Sequence, residues 1–156
     1  MRIHSLFAKF CWPLSIVALM VAAGCSRQPD KWEQARLRTI PAAGRVMLDG
    51  QQVSQATIIF WNDAVPTSPS ALTADDGSFH LRTYVPKDGA PVGAYTVSIA
   101  KTTETRPPPT DPEAPPPPIA ITHHLPKRYQ DPKTSGLTVE VTEDGPNEFV
   151  FELSTK

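Results

Sequence analysis

Cysteine is scarce in this sequence. Only Cys11 and Cys25 occur among its 156 residues. A disulfide framework needs several paired cysteines, and structural zinc sites usually take two or more of their four ligands from cysteine. The chain must therefore be held together by an apolar core, and a single domain of about 130 residues is large enough to bury one.

Clustered positive charge is also lacking. Lysines and arginines are scattered singly apart from Lys127-Arg128, a pair that we interpret as solvated surface. Because nucleic-acid binding needs a basic patch or stripe, no nucleic-acid partner is predicted. The sequence has no glycine-rich phosphate loop and no Gly-x-Ser-x-Gly elbow, and nothing in it fixes two carboxylates for paired acid–base catalysis. We therefore predict no enzyme activity and no cofactor.

No apolar run is long enough to cross a bilayer. Residues 10–23 are almost entirely apolar and follow the basic residues Arg2 and Lys9, but about 14 residues fall short of the roughly 20 that a spanning helix needs. A basic start, a short apolar core and small residues ending at Gly24 are typical of a secretory signal, predicted over residues 1–24. A transmembrane anchor is the alternative. Without the signal, thirteen basic residues remain against sixteen acidic ones, a net charge of −3.

Cys25 follows these small residues directly. Residues 21–25 resemble the lipobox of bacterial lipoproteins. The resemblance implies cleavage before Cys25 and acyl chains such as palmitate on it, and more than one chain gives stable anchoring. With Ser26 next, it also implies a lipid-anchored location in the cell envelope, at the outer membrane. Residues 25–41 are polar and lack a clear period, so they are predicted as a tether rather than as a short helix.

Short segments with period-two alternation dominate the rest of the chain, and no segment from 40 to 156 has helical periodicity. Alternation places apolar side chains on one face of a strand and polar ones on the other. Asp-Gly pairs between the segments suit tight turns, and the pattern predicts an all-β fold, a β-sandwich. The predicted core faces consist of Val46 and Leu48; Ala56, Ile58 and Phe60; Phe79 and Leu81; Tyr95, Val97 and Ile99; Leu137, Val139 and Val141; and Phe149, Phe151 and Leu153.

Prolines concentrate in residues 106–118, which hold eight of the eighteen in the chain. Because proline has no backbone donor, this stretch is excluded from a central strand. It is predicted as an extended proline-rich loop between a strand that ends near Lys101 and the segment at Ile119. A semi-rigid spacer is the favoured role, and binding to a proline-recognition module is the alternative.

Several motifs, in order, are similar to a known family. They resemble carboxypeptidase regulatory-like (transthyretin-like) domains, and the later ones look like those of small lipoproteins of this type from planctomycete-like bacteria. The resemblance implies a seven-stranded Greek-key sandwich over residues 42–156. It implies no enzyme activity, but an adhesion, stabilising or carbohydrate-contacting role. The motifs are Gly44–Val53, Ala56–Phe60, Thr73–Phe79 and Gly93–Ile99, followed by Leu125–Tyr129, Ser135–Val141 and Asn147–Leu153.

Two groups of side chains have the chemistry of metal ligands. His123 and His124 are adjacent, so in a strand they would point to opposite faces, and no third ligand has a suitable spacing. Asp75 and Asp76 precede a glycine, which a tight turn explains, and calcium would need six to eight oxygens. No metal site is therefore predicted.

Trp61 is the aromatic residue of greatest functional interest. It follows Phe60 and so lies on the outward side of that strand, beside Asn62 and Asp63. An exposed ring beside polar groups can stack on a sugar or anchor a protein contact, so Trp61, Asn62 and Asp63 are the predicted ligand-contact residues. Packing at the strand edge is the alternative.

These observations predict a membrane-anchored, non-enzymatic β-sandwich lipoprotein that acts as a structural or protein-interaction module of the cell envelope. The predicted partners are membrane lipid, through acylated Cys25, and an envelope protein or glycan. A carbohydrate-binding module that uses Trp61 is the alternative. A hydrolase that uses His123 and His124 is a third hypothesis, with the fewest residues to support it.

Overall fold

The computed structural model describes residues 30–108 and 116–156, and the chain divides into two compact units, Met1–Arg36 and Leu37–Lys156. The predicted signal peptide, Cys25 and the middle of the proline-rich loop lie outside the described residues. Among the residues that are described, no helix is both long and apolar enough to span a bilayer.

Short strands make up most of the regular secondary structure of the described residues, with helices α1 (Lys31–Gln34) and α2 (Pro132–Ser135) and a 3₁₀ turn at Lys127–Gln130. The strands are β1 (Thr39–Ile40), β2 (Ala43–Leu48), β3 (Gln51–Gln52), β4 (Thr57–Trp61), β5 (Ser70–Leu72), β6 (Ser78–His80), β7 (Ala90–Pro91), β8 (Gly93–Ala100), β9 (Thr102–Thr105), β10 (Ala120–His123), β11 (Leu137–Val141) and β12 (Glu148–Leu153).

Helix α1 lies in the first unit, within the predicted tether. The Asp30 carboxylate accepts hydrogen bonds from the backbone N–H groups of Trp32 at 2.9 Å and Glu33 at 2.8 Å. The Glu33 carboxylate in turn accepts from the N–H of Asp30 at 3.3 Å. This reciprocal capping box satisfies the first backbone donors of the helix, which explains a helical turn where the sequence has no helical period.

The second unit begins at Leu37 rather than at the predicted boundary of residue 42. Strand β1 pairs antiparallel with β7, and the N–H of Leu37 donates to the hydroxyl of Tyr84 at 3.1 Å. The end of the predicted tether therefore belongs to the β fold. A two-residue strand is too short for alternation to reveal it.

Two sheets form the body of this unit. The first sheet has the order β11-β8-β4-β5 and is antiparallel throughout. The second sheet has the order β12-β2-β3, with β6 also paired to β2. Within it β12 and β2 run parallel, from Glu148 opposite Ala43 to Leu153 opposite Leu48. This architecture confirms the predicted all-β class.

The inner faces of the two sheets share one apolar core. The ring of Phe60 on β4 lies 5.8 Å from that of Phe149 and 6.3 Å from that of Phe151, both on β12. The predicted alternation is confirmed in every segment, because the side chains assigned to the core are buried or partly buried. The buried ones are Val46, Ala56, Ile58, Phe60, Phe79, Leu81, Tyr95, Val97, Ile99, Val141, Phe151 and Leu153, and Leu48, Leu137, Val139 and Phe149 are partly buried against them.

The Asp49-Gly50 pair makes the tight turn that the sequence predicts. It joins β2 to β3, with Leu48 opposite Gln51. The φ angles of Asp49 and Gly50 are 49° and 81°, and a two-residue hairpin loop with positive φ at both positions matches the right-handed twist of its strands.

The chain does not enter the proline-rich loop directly from Lys101. It continues as β9, which pairs with β10 in a two-stranded ribbon. Every residue of both strands is exposed, so neither face carries the apolar alternation by which a strand is predicted. The described ends of the loop, residues 106–108 and 116–118, have no regular secondary structure.

The Leu125–Tyr129 motif packs into the core. Leu125 and Tyr129 are buried, and the hydroxyl of Tyr129 accepts hydrogen bonds from the N–H of Ser154 and from the Arg128 guanidinium, both at 3.0 Å. These bonds hold the residue that follows β12. The motif therefore fixes the end of the chain to the body of the domain.

Candidate functional site

The outer face of the first sheet presents mostly uncharged side chains. Strand β4 directs Thr57, Ile59 and Trp61 away from the core, because Ile58 and Phe60 between them are buried. The strand register places hydroxyl-bearing and apolar side chains around them. We call this surface the Trp61 face, and it consists of Thr57, Ile59, Trp61, Leu72, Thr96 and Thr138.

Trp61 is fixed in this face by one hydrogen bond. Its indole Nε1–H donates to the hydroxyl oxygen of Ser98 at 2.8 Å, and Ser98 itself is buried on the outer side of β8. The side chain of Trp61 remains 40% exposed. Since the only polar atom of the indole is already bonded, the part that a ligand can reach is apolar. The sequence predicts the outward direction of Trp61 but not its bond to Ser98.

Asn62 and Asp63 follow Trp61 at the end of β4. The side-chain oxygen of Asn62 accepts a hydrogen bond from the N–H of Ala64 at 2.8 Å, and its backbone oxygen accepts one from the N–H of Val65 at 3.1 Å. Asn62 thus shapes the turn that leaves the strand. Asp63 is exposed beside it. The three residues lie together, and ligand contact by them stays a prediction.

His123 and His124 form hydrogen bonds with different partners. His124 Nε2 lies 2.8 Å from the hydroxyl of Thr103, whereas His123 Nδ1 lies 2.9 Å from the side-chain nitrogen of Gln130. The structure thus turns the two rings towards different elements. Within residues 30–108 and 116–156, no group of three or more His, Cys, Asp or Glu side chains is arranged to hold a metal ion.

The Asp76 carboxylate stabilises the turn in which it lies. Its carboxylate accepts from the Ser78 hydroxyl at 2.6 Å and from the Ser78 N–H at 3.0 Å. These two bonds, the hydroxyl first, hold the pKa of Asp76 below its ordinary value. Gly77 completes the turn with φ of 73°. The tight-turn interpretation of this motif is therefore confirmed.

The loop of residues 82–89 takes its conformation from hydrogen bonds to Asp88. The Asp88 carboxylate accepts hydrogen bonds from three backbone N–H groups, those of Thr83 at 2.7 Å, Tyr84 at 2.9 Å and Val85 at 3.1 Å. Burial by itself would raise the pKa of Asp88, but these three donors outweigh it, and the pKa is lowered. The Asp88 carboxylate therefore holds the backbone of residues 83–85 in this conformation.

Replacement of Asp88 by asparagine is expected to destabilise the protein in a pH-dependent way. A lowered pKa in the folded state contributes stability that is present above the ordinary aspartate pKa of about 3.9 and is lost as the pH falls through the lower folded value. At pH 7 we expect a loss of about 1–2 kcal/mol, because an amide oxygen accepts more weakly than a carboxylate. The measurement is urea unfolding at pH 7 and at acid pH.

The matched control for this loop is Asp144→Asn, at an exposed aspartate. Asp144→Asn should leave the unfolding free energy within about 0.5 kcal/mol of the parent. For Asp88→Asn, the difference from the parent in the free energy of unfolding should become smaller as the pH falls. A difference that stayed constant with pH would mean that the charge of Asp88 does not hold the loop.

Comparison of the chain with protein-family models, with curated proteins and with solved structures finds no match.

Proposed function

We propose that this chain is a lipid-anchored, non-enzymatic binding module of the cell envelope, and that it contacts its partner through the Trp61 face. The observation that carries the proposal is the fixed, 40% exposed indole of Trp61. Tryptophan supplies a large contact area, and an indole already held in place loses little conformational freedom on binding. The envelope location is proposed from Cys25 and the signal before it.

The finer architecture is a seven-stranded Greek-key sandwich of the carboxypeptidase regulatory-like type. Two short strands support this count, because β3 and β6 pair with different parts of β2: β3 with Met47–Leu48 and β6 with Ala43–Arg45. Both lie on the edge of β2 that β12 leaves free. Taken as one interrupted strand, they give the second sheet three strand positions beside the four of the first.

An envelope protein is the favoured partner of the Trp61 face. Leu72 is 58% exposed, and Ile59 lies between it and Trp61 on the outer side of the sheet. With the indole N–H bonded to Ser98, the side chains of Trp61, Ile59 and Leu72 offer contact area and no hydrogen-bond donor of their own. Apolar and aromatic side chains of this kind form the centre of protein interfaces.

A glycan is the second candidate partner. Thr96 lies directly opposite Trp61 on β8, and Thr138 lies opposite Thr96 on β11, so their hydroxyl groups are beside the ring on neighbouring strands. An aromatic ring with hydroxyl groups around it can stack on a sugar and bond its hydroxyls. One observation counts against this candidate. The Trp61 N–H already donates to Ser98, so only the threonine hydroxyls could donate hydrogen bonds to a sugar.

Trp61→Ala is expected to remove partner binding while the protein remains folded. A tryptophan at the centre of an interface contributes about 2 kcal/mol or more, which corresponds to a loss of about 30-fold in affinity. The measurement is quantitative capture of cross-linked partners from intact envelopes, followed by titration of the purified partner. A glycan array with the same variants tests the second candidate.

Val150→Ala is the matched control, since Val150 is a 63% exposed apolar residue of the second sheet. A partner that binds Val150→Ala normally but not Trp61→Ala supports the Trp61 face. Equal binding by both variants, or no partner and no glycan at all, would overturn the proposal.

Cys25→Ala tests the anchor separately. The parent chain is expected to incorporate labelled palmitate and to sediment with membranes, since several acyl chains give stable anchoring. Cys25→Ala should lose the label and appear in the soluble fraction. An unlabelled parent chain would contradict lipidation without affecting the Trp61 face.

A further inference from the structure

An open groove of about 490 Å³ lies between β5 and β6. The two strands belong to one hairpin whose ends are joined by reciprocal backbone hydrogen bonds of 2.9 Å between Ser70 and Arg82. From there β5 pairs with β4 in the first sheet, whereas β6 pairs with β2 in the second. The hairpin strands therefore diverge, and the groove is the space that opens between them.

The charged side chains that line the groove are of one sign. His80, Arg82 and Lys87 contribute to its wall, and the lining contains no aspartate or glutamate. Arg82 is exposed, and in the described part of the chain no carboxylate lies within ion-pair distance of it. Two acidic residues lie equally near to Arg82 along the chain, and both have other partners. Asp76 is bonded to Ser78 and lies 3.8 Å from the Arg45 guanidinium, and Asp88 is bonded to backbone N–H groups of its own loop. The charge of Arg82 is thus available to a ligand.

The loop beside the groove holds its basic residue in a defined place. Lys87 has φ of 64°, a left-handed conformation that side-chain-bearing residues rarely adopt and that the surrounding structure must enforce. Asp88 provides that enforcement through its three backbone bonds. Gly89 follows with φ of 84°, and a Cβ there would overlap the backbone oxygen of Ile40. The backbone position of Lys87 is therefore set by the fold.

The remaining lining has the character of a sugar site. Thr57 and Ser70 present hydroxyl groups along the groove, with Leu72 and Pro86 as apolar surface. The Ser78 hydroxyl also lines the groove, but it donates to Asp76 and can only accept from a ligand. Hydroxyl groups can bond the hydroxyls of a sugar, apolar side chains can cover its C–H faces, and the planar arginine fork matches a carboxylate. A phospholipid would need a larger apolar area than this open groove provides.

We propose that this groove binds an acidic polysaccharide, with the carboxylate of a uronic acid unit on Arg82 and Lys87. The proposal does not rest on the envelope partner of the Trp61 face, although Thr57 and Leu72 lie at the border of both surfaces. It assigns an acidic ligand to this region, whereas the sequence alone predicts a glycan contact only at Trp61.

The test is calorimetric titration of the purified full chain with an oligogalacturonate, and with a neutral galactose oligomer of equal length. We expect binding of the acidic oligomer only, weakened by added salt. The double variant Arg82→Gln/Lys87→Gln should weaken it at least about tenfold, because it removes two charge-assisted contacts. Thermal unfolding of the variant checks that the fold is intact, and the change affects exposed side chains only.

The control is Lys127→Gln/Lys133→Gln, which removes the same net charge at two exposed lysines outside the groove. It should bind the oligogalacturonate within about twofold of the parent. Equal weakening by both double variants would mean a diffuse charge effect and would overturn the site. Equal binding of the neutral oligomer, or preference for poly-glutamate or for anionic lipid vesicles over the oligogalacturonate, would also overturn it.

Discussion

Phe60→Ala is expected to lower the free energy of unfolding by about 3–5 kcal/mol, the usual range for removal of a buried phenylalanine. The Phe60 side chain is fully buried, and its ring lies 5.7 Å from Tyr95 in its own sheet and 5.8 Å from Phe149 in the other. The substitution therefore opens a cavity at the junction of both sheets. Rings on several strands surround it, so backbone shifts can close only part of that space.

Urea unfolding followed by intrinsic fluorescence and by circular dichroism measures this loss. The slope with urea should stay unchanged, because the same surface is exposed on unfolding. Val150→Ala, at an exposed position of the second sheet, should cost less than about 0.5 kcal/mol. If both variants were equally tolerated, the two sheets would not share the core through Phe60.

The core could be predicted from the sequence because alternation is a local property. In a strand, neighbouring side chains point to opposite faces, so the order Phe60 then Trp61 already separates a core residue from a surface one. The structure buries Phe60 and leaves Trp61 40% exposed. The same argument fails for β9 and β10, which are exposed on both faces and have no apolar period to detect.

The pairing of strands could not be predicted, because it depends on residues far apart in the chain. The parallel pair of β12 with β2 joins the end of the described chain to the first long strand. Alternation indicates which face of a strand is buried, not which strand lies beside it. For the same reason the sequence does not reveal that Thr39 and Ile40, within the predicted tether, form a strand, since they do so only by pairing with Pro91 and Ala90.

The candidate sites could likewise be predicted only in part. The sequence predicts that Trp61 faces outward, and it also places His80 and Arg82 on the polar side of their segment. It does not predict that Ser98 fixes the indole, or that the Ser70–Arg82 hairpin opens into a groove. Side-chain types and directions follow from local spacing, whereas the assembly of a site requires the packing of distant segments.

Gly44→Ala is expected to cost about 3 kcal/mol or more, at the upper end of the range for inserting atoms into filled space. Gly44 lies on β2, opposite Phe149 of β12 on one side and Phe79 of β6 on the other. A Cβ on Gly44 would overlap the backbone oxygen of Phe149 and would lie 2.9 Å from its carbonyl carbon and 2.8 Å from Cζ of Phe79. The Phe79 ring can turn aside, but the Phe149 backbone can move only if the parallel pair separates.

Separation of β12 from β2 should be detectable in the hydrogen exchange of β12 itself. Amide hydrogen exchange in β12 is expected to accelerate in Gly44→Ala at the alternate N–H groups that point towards β2, because these groups lose their partners there, while exchange in β4 and β8 stays slow. Gly145→Ala is the matched control: its Cβ would meet only the side chain of Thr142, which can rotate, so the cost should stay within about 1 kcal/mol. If Gly44→Ala were as stable as Gly145→Ala, β12 could not lie as close to β2 as the pairing requires.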